Sequence, residues 1–225
     1  MNVDLVAYSQ VYGNATDIVE MAASVCYDSK PDFANHKIAK GCAKTGHMSV
    51  FEHAYFTFHI TGISRACLAQ LTRHRHFSFT VRSQRYCDES GNQMINPAKY
   101  NEEACQMYEQ AYTESEDMYK ALIAHGENKE DARMVLPNAA STELYLSMNA
   151  RALIEACHLR LCARAQTEIR CLFELMKQEV GAVSPLIAEL CVPQCEVNPS
   201  YPFCTERKSC GRHKTLKEVY HDDSK

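Results

Sequence analysis

The chain has 225 residues, of which 46% are apolar and 23% charged, a composition typical of a globular protein of one domain. Its formal net charge of −4 argues against a general nucleic-acid or membrane-surface binder, because such proteins present a broad basic face. The N-terminal segment lacks the basic region of a signal peptide and no apolar run reaches the roughly 18 residues of a membrane span, so we expect a cytoplasmic location without membrane contact.

The first half of the chain alternates predicted strands and helices. The signals are apolar periodicity, β-branched and aromatic runs, and the helix-ending residue Gly46. In order, they predict a strand at 3–8, helices at 15–27 and from Pro31 to about Lys44, a long strand at 50–60 and a short helix at 63–72.

The second half is predicted to be mainly helical. In order, the patterns indicate a helix at 101–124 that ends before Gly126, a strand at 142–148, and helices at 149–158 and about 160–180. Four prolines after Ser184 predict an irregular tail at 184–225. We therefore expect a mixed α+β fold with a central β-sheet flanked by helices in residues 1–183.

The segment RHRHFSFTVRSQRY, residues 73–86, contains four arginines together with serine, threonine and aromatic residues. Arginine side chains bind phosphate oxygens bidentately, and hydroxyl groups supply further hydrogen bonds. The chain has no glycine-rich phosphate loop, so side chains must hold any phosphorylated ligand. From these residues alone, a ligand-binding segment and a surface loop whose charges face water both remain open.

This segment and three others resemble the flavin-dependent thymidylate synthase family. The triplet Arg73-His74-Arg75 is followed, after seven residues, by Ser83, and then by Arg85-Tyr86. The other matching segments, in the family's order, are GHMSVFEH (46–53), ARMVLP (132–137) and SMNARALIEACHLRLCARAQTEIR (147–170). The resemblance covers roughly residues 1–180 and implies that 1–183 form the family's catalytic domain, followed by the tail.

The resemblance implies an enzyme that methylates dUMP to dTMP. The one-carbon unit comes from methylenetetrahydrofolate, and the reducing equivalents come from NADPH through FAD. The resemblance further implies a homotetramer whose active sites combine several subunits, with small-molecule partners and no nucleic acid. Two phosphorylated ligands would account for the donors gathered at 73–86.

The resemblance also implies roles for individual residues. Those expected at FAD are His47, Ser49, Arg73, His74, Arg75, Asn149, Arg151 and Glu155. Those expected at dUMP are Gln70, Arg73, Ser83, Gln84, Arg85, Arg133 and Arg160. Arg160 is the expected catalytic residue, because a fixed cation facing the uracil ring would stabilise its activated form, deprotonated at N3.

The sequence departs from the family's pattern at three positions. Thr80 and Val81 stand where Asn and Glu or Gln are common, so side-chain contacts there are lost. Cys26 stands where a small polar residue is often found near the flavin. We expect these differences to affect the geometry of ligand binding rather than the reaction.

Two other interpretations compete with the enzyme. Residues 73–86 also suit a nucleic-acid-binding module, which would bind with a steep salt dependence. The tail suggests a metal-binding regulatory domain, because Cys191, Cys195, Cys204 and Cys210 have the ligand type of a structural zinc site, and His213 is able to replace one of them. Reduced thiols or an oxidative disulfide remain alternatives to zinc, and the expected reaction needs no metal. Neither competitor accounts for the matching segments at 132–170.

Overall fold

The computed structural model describes residues 1–97 and 101–222 and shows a mixed α/β chain. Its strands are β1 (Asn2–Tyr8), β2 (Tyr55–Ser64), β3 (Ser78–Val81) and β4 (Ser141–Asn149). Its α-helices are α1 (Thr16–Cys26), α2 (Lys37–Thr45), α3 (Arg65–Leu71), α4 (Glu102–Ala124), α5 (Lys129–Ala132), α6 (Ala150–Arg160), α7 (Thr167–Val183), α8 (Pro185–Leu190) and α9 (Leu216–Asp222). Short 3₁₀ helices span Met48–His53, Arg133–Val135 and Gln194–Glu196. The predicted α+β class is confirmed.

The strands form one four-stranded antiparallel sheet in the order β1-β2-β4-β3. In β4, buried and more exposed residues alternate, as the twofold side-chain repeat of a strand requires. The hydroxyl oxygens of Thr57 and Ser147 lie 2.9 Å apart across the β2–β4 pair. Such cross-strand contacts fix the register of neighbouring strands.

The chain divides into two compact units. The first comprises Met1–Asn2, His59–Arg75 and Phe79–Leu146, and the second comprises Val3–Phe58, His76–Ser78 and Ser147–Lys225. Residues 98–100 and 223–225 lie outside the part of the chain described here. Among the described residues, no helix combines the length and the apolar character needed to cross a membrane.

Each unit has its own buried apolar side chains. In the first unit these include Ile60, Ile63, Leu71, Tyr119, Leu144 and Leu146. In the second unit they include Phe51, Phe56, Phe58, Leu153, Phe173 and Met176. Full burial of one such side chain contributes about 1.5–3 kcal/mol, so these residues provide the main stabilisation of the elements that carry the candidate site.

Six predicted elements are confirmed to within two residues at each end: β1, α1, α3, α4, β4 and α6. The ends of α4 are predictable because each has a local sequence signal. Its first turn is capped by Asn101, whose side-chain oxygen accepts a hydrogen bond from the Ala104 N–H at 3.0 Å. Gly126 follows its end with φ of +94°, a backbone conformation that favours glycine.

The predicted long strand at 50–60 is wrong in its first part. Met48–His53 form a 3₁₀ helix, and the strand begins only at Tyr55. Gly46 ends α2 with φ of +77°, and the Met48 N–H donates to the Gly46 carbonyl at 2.9 Å, so the chain turns tightly here. The turn buries Phe51 completely, and this packing overrides its β-propensity.

The predicted helix at 160–180 begins later than expected. Arg160 ends α6, and α7 starts at Thr167 after a turn in which the Ala165 N–H donates to the Cys162 carbonyl at 3.0 Å. Arg170 holds this turn by donating to the Ala163 carbonyl at 3.2 Å. Arg160 and Arg164 therefore do not lie on one helix.

The other two differences concern α2 and the tail. Helix α2 starts only at Lys37, because Asp32 first closes a turn by accepting hydrogen bonds from Asn35. The tail is not wholly irregular, since α8 begins directly at Pro185. Proline suits the first position of a helix, and Ser184 caps this one through the Ile187 N–H. Here proline starts a helix instead of preventing one.

Candidate active site

In the second unit, a cavity of about 320 Å³ gathers three of the residues expected at FAD. His47 follows α2, Ser49 lies in the 3₁₀ helix Met48–His53, and Arg151 comes from the first turn of α6. Cys26, at the end of α1, lines the same cavity and is exposed. The structure therefore brings together residues that lie more than a hundred positions apart in the sequence.

The guanidinium group of Arg151 is held between two carboxylates. Its Nη1 atom lies 2.7 Å from Oε1 of Glu52, and its Nε atom lies 2.8 Å from Oε1 of Glu155. These hydrogen bonds raise the pKa of Arg151, the one to Glu155 contributing most. The arrangement fixes the orientation of a permanent cation at the edge of the cavity.

Two further residues expected at FAD lie at the start of α6 and within it. The Asn149 side-chain oxygen caps α6 by accepting a hydrogen bond from the Ala152 N–H at 2.8 Å, so its amide nitrogen is the group it can offer a ligand. Glu155 binds Arg151 and lines a different cavity, near the tail. Its expected contact with the flavin stays a prediction.

In the first unit, α3 leads into the loop that carries the arginine triplet. Gln70 lies near the end of α3, and His74 follows half-buried, its N–H donating to the Leu71 carbonyl at 3.1 Å. Arg73 and Arg75 are exposed, and neither forms an ion pair with a carboxylate of the described residues. Their guanidinium groups are available to an anionic ligand.

The residues expected at dUMP after β3 form a turn. The Ser83 hydroxyl accepts a hydrogen bond from the Arg85 N–H at 3.3 Å, and Gln84 is half-buried between them. Arg85 Nε lies 2.8 Å from Oε1 of Glu130, and Arg133 Nε donates to the Glu130 carbonyl at 3.0 Å. Arg85 and Arg133 thus meet at one residue, although 48 positions separate them.

Two of the four arginines in 73–86 are engaged with carboxylates. Arg85 pairs with Glu130, and Arg82 Nε lies 3.2 Å from Oε1 of the fully buried Glu89. Only Arg73 and Arg75 remain fully available for phosphate groups among the described residues of this segment. This weakens the interpretation of 73–86 as a nucleic-acid-binding patch, which depends on free positive charge.

Sequence reasoning missed Arg65, at the start of α3. Its Nη2 atom donates to the Arg82 carbonyl at 3.0 Å, and its buried Nε atom has no hydrogen-bond partner among the described residues. Burial lowers the pKa of this guanidinium, and the neighbouring Arg133 and Arg82 lower it further, while Glu89 opposes them. The available signal was a lone charged residue in the segment ISRACLAQ.

Arg160, the expected catalytic residue, lies half-buried in the last turn of α6. A cation is favoured there because the carbonyl end of a helix carries a partial negative charge. Arg160 does not line either of the two cavities described here. Its expected position facing the uracil ring stays a prediction.

All twelve cysteines are free thiols. In the tail, the buried Cys191 forms a hydrogen bond with the buried Cys157, and this contact, followed by burial, raises the pKa of Cys157. Cys195 instead lies with Glu196 and His213, each offering one possible metal-ligand atom. The four tail cysteines named from the sequence are therefore not the set that the structure gathers.

The residues described above include arginine, serine and histidine donors and no glycine-rich loop, a set suited to phosphorylated ligands. Comparison with known proteins identifies its family. A model of the family described as thymidylate synthase complementing protein matches residues 4–186. The chain therefore belongs to the thymidylate synthase complementing protein family, and the predicted resemblance is confirmed.

Curated relatives agree over most of the chain. It is 39% identical over 220 residues to the flavin-dependent thymidylate synthase of Geobacter sulfurreducens, which covers 92% of this chain and 93% of that protein. It is 33% identical over 234 residues to the flavin-dependent thymidylate synthase of Clostridium tetani, with 92% and 93% coverage. The protein of that name from Sulfolobus acidocaldarius is 33% identical over 212 residues, with 89% and 80% coverage.

Proposed function

We propose that this chain synthesises dTMP by methylating dUMP, with methylenetetrahydrofolate as the one-carbon donor and NADPH-reduced FAD as the reductant. One combined observation carries the proposal: the chain belongs to the family, and its fold brings several of the expected donor side chains together. His47, Ser49 and Arg151 share one cavity, and Arg85 and Arg133 converge on Glu130.

The donor set of the first cavity fits part of a flavin dinucleotide. An arginine, an imidazole and a hydroxyl are groups that bind phosphate and flavin-ring oxygens. The volume of about 320 Å³ is near the lower end of the about 300–1,000 Å³ found for pockets of drug-sized ligands. We propose that the remaining contacts to the dinucleotide come from the loop at 73–75 and from other subunits.

In this proposal His47, Ser49, Asn149 and Arg151 hold FAD, together with the triplet Arg73-His74-Arg75. When bound, FAD supplies the reducing equivalents taken from NADPH. Arg151 contributes a cation whose direction is set by Glu52 and Glu155, so little orientational freedom is lost when a ligand binds.

We propose that dUMP is held by the turn at 83–85 and by Arg133, with Gln70 and Arg73 at its border. The phosphate of dUMP takes charge-assisted hydrogen bonds from the arginines, each worth about 1.5–3 kcal/mol. Because Arg85 is paired with Glu130, an exposed carboxylate, the phosphate displaces only a weak surface ion pair.

Arg160 completes the proposed site as the catalytic residue. Its cation stabilises the negative charge that develops on the uracil ring when N3 loses its proton, and this raises the reactivity of C5. The last turn of α6 is a favourable place for such a cation, because the carbonyl end of a helix carries a partial negative charge.

Three broader features belong to the same proposal. The enzyme is a homotetramer that acts on small molecules and not on nucleic acid, and it works in the cytoplasm. Its catalytic domain is 1–183 and its tail is 184–225. The match of the family to residues 4–186 supports this boundary.

The test is tritium release from C5 of labelled dUMP by the purified protein supplied with FAD, NADPH and methylenetetrahydrofolate. We expect flavin absorbance in the purified protein and tritium release that depends on both reduced nicotinamide and folate. Arg160→Ala should reduce release by at least a hundredfold, about 2.7 kcal/mol of lost transition-state stabilisation, and should retain its flavin.

Arg212→Ala is the matched control, because Arg212 lies in the tail, outside the proposed catalytic domain, with an exposed ion pair to Glu196. Its tritium release should stay near that of the unmodified chain. A protein that binds no FAD on incubation would contradict the proposal. Near-normal release by Arg160→Ala would show that Arg160 is only a charged residue on the helix surface.

A further inference from the structure

The tail of the second unit gathers metal-ligand side chains that the proposed reaction does not use. Cys195 and Glu196 lie in the 3₁₀ helix Gln194–Glu196, and His213 lies in the loop before α9. One sulfur, one carboxylate oxygen and one imidazole nitrogen from these residues all lie within 4.8 Å of one another. We call these three half-buried residues the tail cluster.

The spacing within the tail cluster suits a tetrahedral metal ion. The Nε2 atom of His213 lies 3.4 Å from Oε1 of Glu196, and this buried nitrogen forms no hydrogen bond with any described residue. Two ligand atoms bound to one zinc ion at about 2.0–2.2 Å lie about 3.4 Å apart. The two atoms are therefore placed as neighbouring ligands rather than as donor and acceptor.

We propose that the tail cluster binds one Zn²⁺ ion through the Cys195 thiolate, the Glu196 carboxylate and the His213 imidazole, with water as the fourth ligand. The mixture of sulfur, nitrogen and oxygen donors favours zinc over magnesium or calcium, which prefer oxygen ligands alone. The thiolate and carboxylate together neutralise the charge of the ion. The proposal does not depend on the synthase activity.

One ion pair competes with the metal. Arg212 Nη1 lies 3.6 Å from the same Oε1 atom of Glu196, and 39% and 37% of the two side chains are exposed. Such exposed pairs contribute little, so zinc displaces the arginine readily. Arg212 then remains beside the site as a cation facing solvent.

Binding would connect two parts of the tail to each other. The 3₁₀ helix packs against α6, and Arg164, just after α6, pairs with Glu206 at 3.7 Å and donates to the Lys208 carbonyl. A metal bridge from Glu196 to His213 closes this loop of 16 intervening residues. The ion thus orders the tail and has no part in the proposed chemistry.

The set differs from the four cysteines that the sequence suggested. Cys191 is buried in contact with Cys157, so its thiol is already engaged. Cys210 is exposed and is not a member of the cluster. His213, named only as a substitute ligand, is a central member.

The test is a zinc titration of the full-length, tag-free, flavin-loaded protein. The protein is first treated with a chelator and dialysed to remove bound metal. We expect elemental analysis after the titration to give about one zinc per chain, because the tail cluster provides one set of three protein ligands. Cobalt replacement should produce the near-ultraviolet absorption of a thiolate–cobalt bond. Cys195→Ser should abolish that band, and Cys195→Ser and His213→Gln should each weaken zinc affinity at least tenfold.

Cys210→Ser is the matched control, since it removes a tail thiol outside the cluster and should leave affinity and the cobalt band unchanged. Far-ultraviolet circular dichroism of every metal-free variant checks folding, and Glu196→Gln gives a further ligand variant if one of the others does not fold. Clearly substoichiometric zinc, unchanged affinity in both Cys195→Ser and His213→Gln, or equal loss in Cys210→Ser would each overturn the assignment.

Discussion

Arg73 and Arg82 stand nine positions apart in one basic segment and have different environments. Arg73 is exposed, whereas Arg82 pairs with Glu89, whose side chain is fully buried. Glu89 also accepts a hydrogen bond from the Asn92 amide at 2.7 Å. A buried carboxylate is tolerated only when it is paired and hydrogen-bonded, so Arg82 serves the stability of the first unit.

We predict that Arg82→Ala lowers the free energy of unfolding by about 2 kcal/mol, because it leaves the Glu89 carboxylate without its cation. This is less than the about 3–5 kcal/mol of a fully buried pair, since 35% of the Arg82 side chain is exposed. Urea unfolding monitored by circular dichroism measures the difference.

Lys37→Ala is the control for this prediction. Lys37 pairs with Asp32 at 3.6 Å, but 77% of its side chain is exposed, so its removal should not change the urea midpoint measurably. Equal effects of the two substitutions would contradict the structural role of Arg82.

Much of the apolar surface of helix α4 is exposed. Of its 23 residues only Tyr112 and Tyr119 are buried. Met107 is 67% and Met118 is 54% exposed. The two methionines are 11 residues apart, about three turns, so they share one face of the helix.

We predict that this face of α4 forms part of an interface in the proposed homotetramer. Met107→Glu and Met118→Glu should each lower association more than tenfold, because an unpaired charge in an apolar interface costs several kcal/mol. Sedimentation velocity at micromolar protein would show the tetramer replaced by smaller species.

Tyr201→Glu tests whether any added charge has this effect. Tyr201 is 76% exposed and lies in the tail, away from α4 in the sequence. Its substitution should leave the tetramer intact. A tetramer that survives both methionine substitutions would exclude this face from the interface.

The sequence predicts elements whose signals are local. The end of α4 before Gly126 and the strand β4 follow from neighbouring residues alone, and both predictions are confirmed. The 3₁₀ helix at Met48–His53 depends on the burial of Phe51 against other parts of the chain, which no local pattern records. The same holds for Arg65, whose environment is created by Arg82 and Arg133.

The candidate site was predictable through motifs and not through geometry. His47, Ser49 and Arg151 are recognised because their segments resemble a family, and the structure then places them around one cavity. The carboxylate partners of Arg151 were not predicted as a pair, because Glu52 is 99 positions away. Distances of this kind arise only from the folded chain.

At the scale of the whole molecule, the proposed active site combines residues from more than one subunit. We predict that two inactive variants, Arg151→Gln and Arg85→Gln, complement each other when they are coexpressed. Random mixing should restore about a quarter of the sites, since each of two contributing subunits has an even chance of being unmodified there. Tritium release from C5 of dUMP measures the recovery.

Each variant expressed alone provides the control, and both should be inactive. If one subunit supplied both residues to a site, every site in a mixed tetramer would contain one defect. Complete absence of recovery, with mixed tetramers shown by mass spectrometry, would then favour sites built within single subunits.

The three-residue arrangement at Arg151 has a consequence for how its variants are interpreted. Removing the arginine leaves Glu52 and Glu155 as two like charges without the cation between them. The phenotype therefore contains a carboxylate–carboxylate repulsion as well as the missing ligand contact, and effects of substitutions at the three positions are non-additive. A thermodynamic cycle that starts from Glu52→Gln with Glu155→Gln separates the two contributions. Over evolutionary time we therefore expect the three positions to change together. Replacing any one of them alone leaves the remaining charges unbalanced.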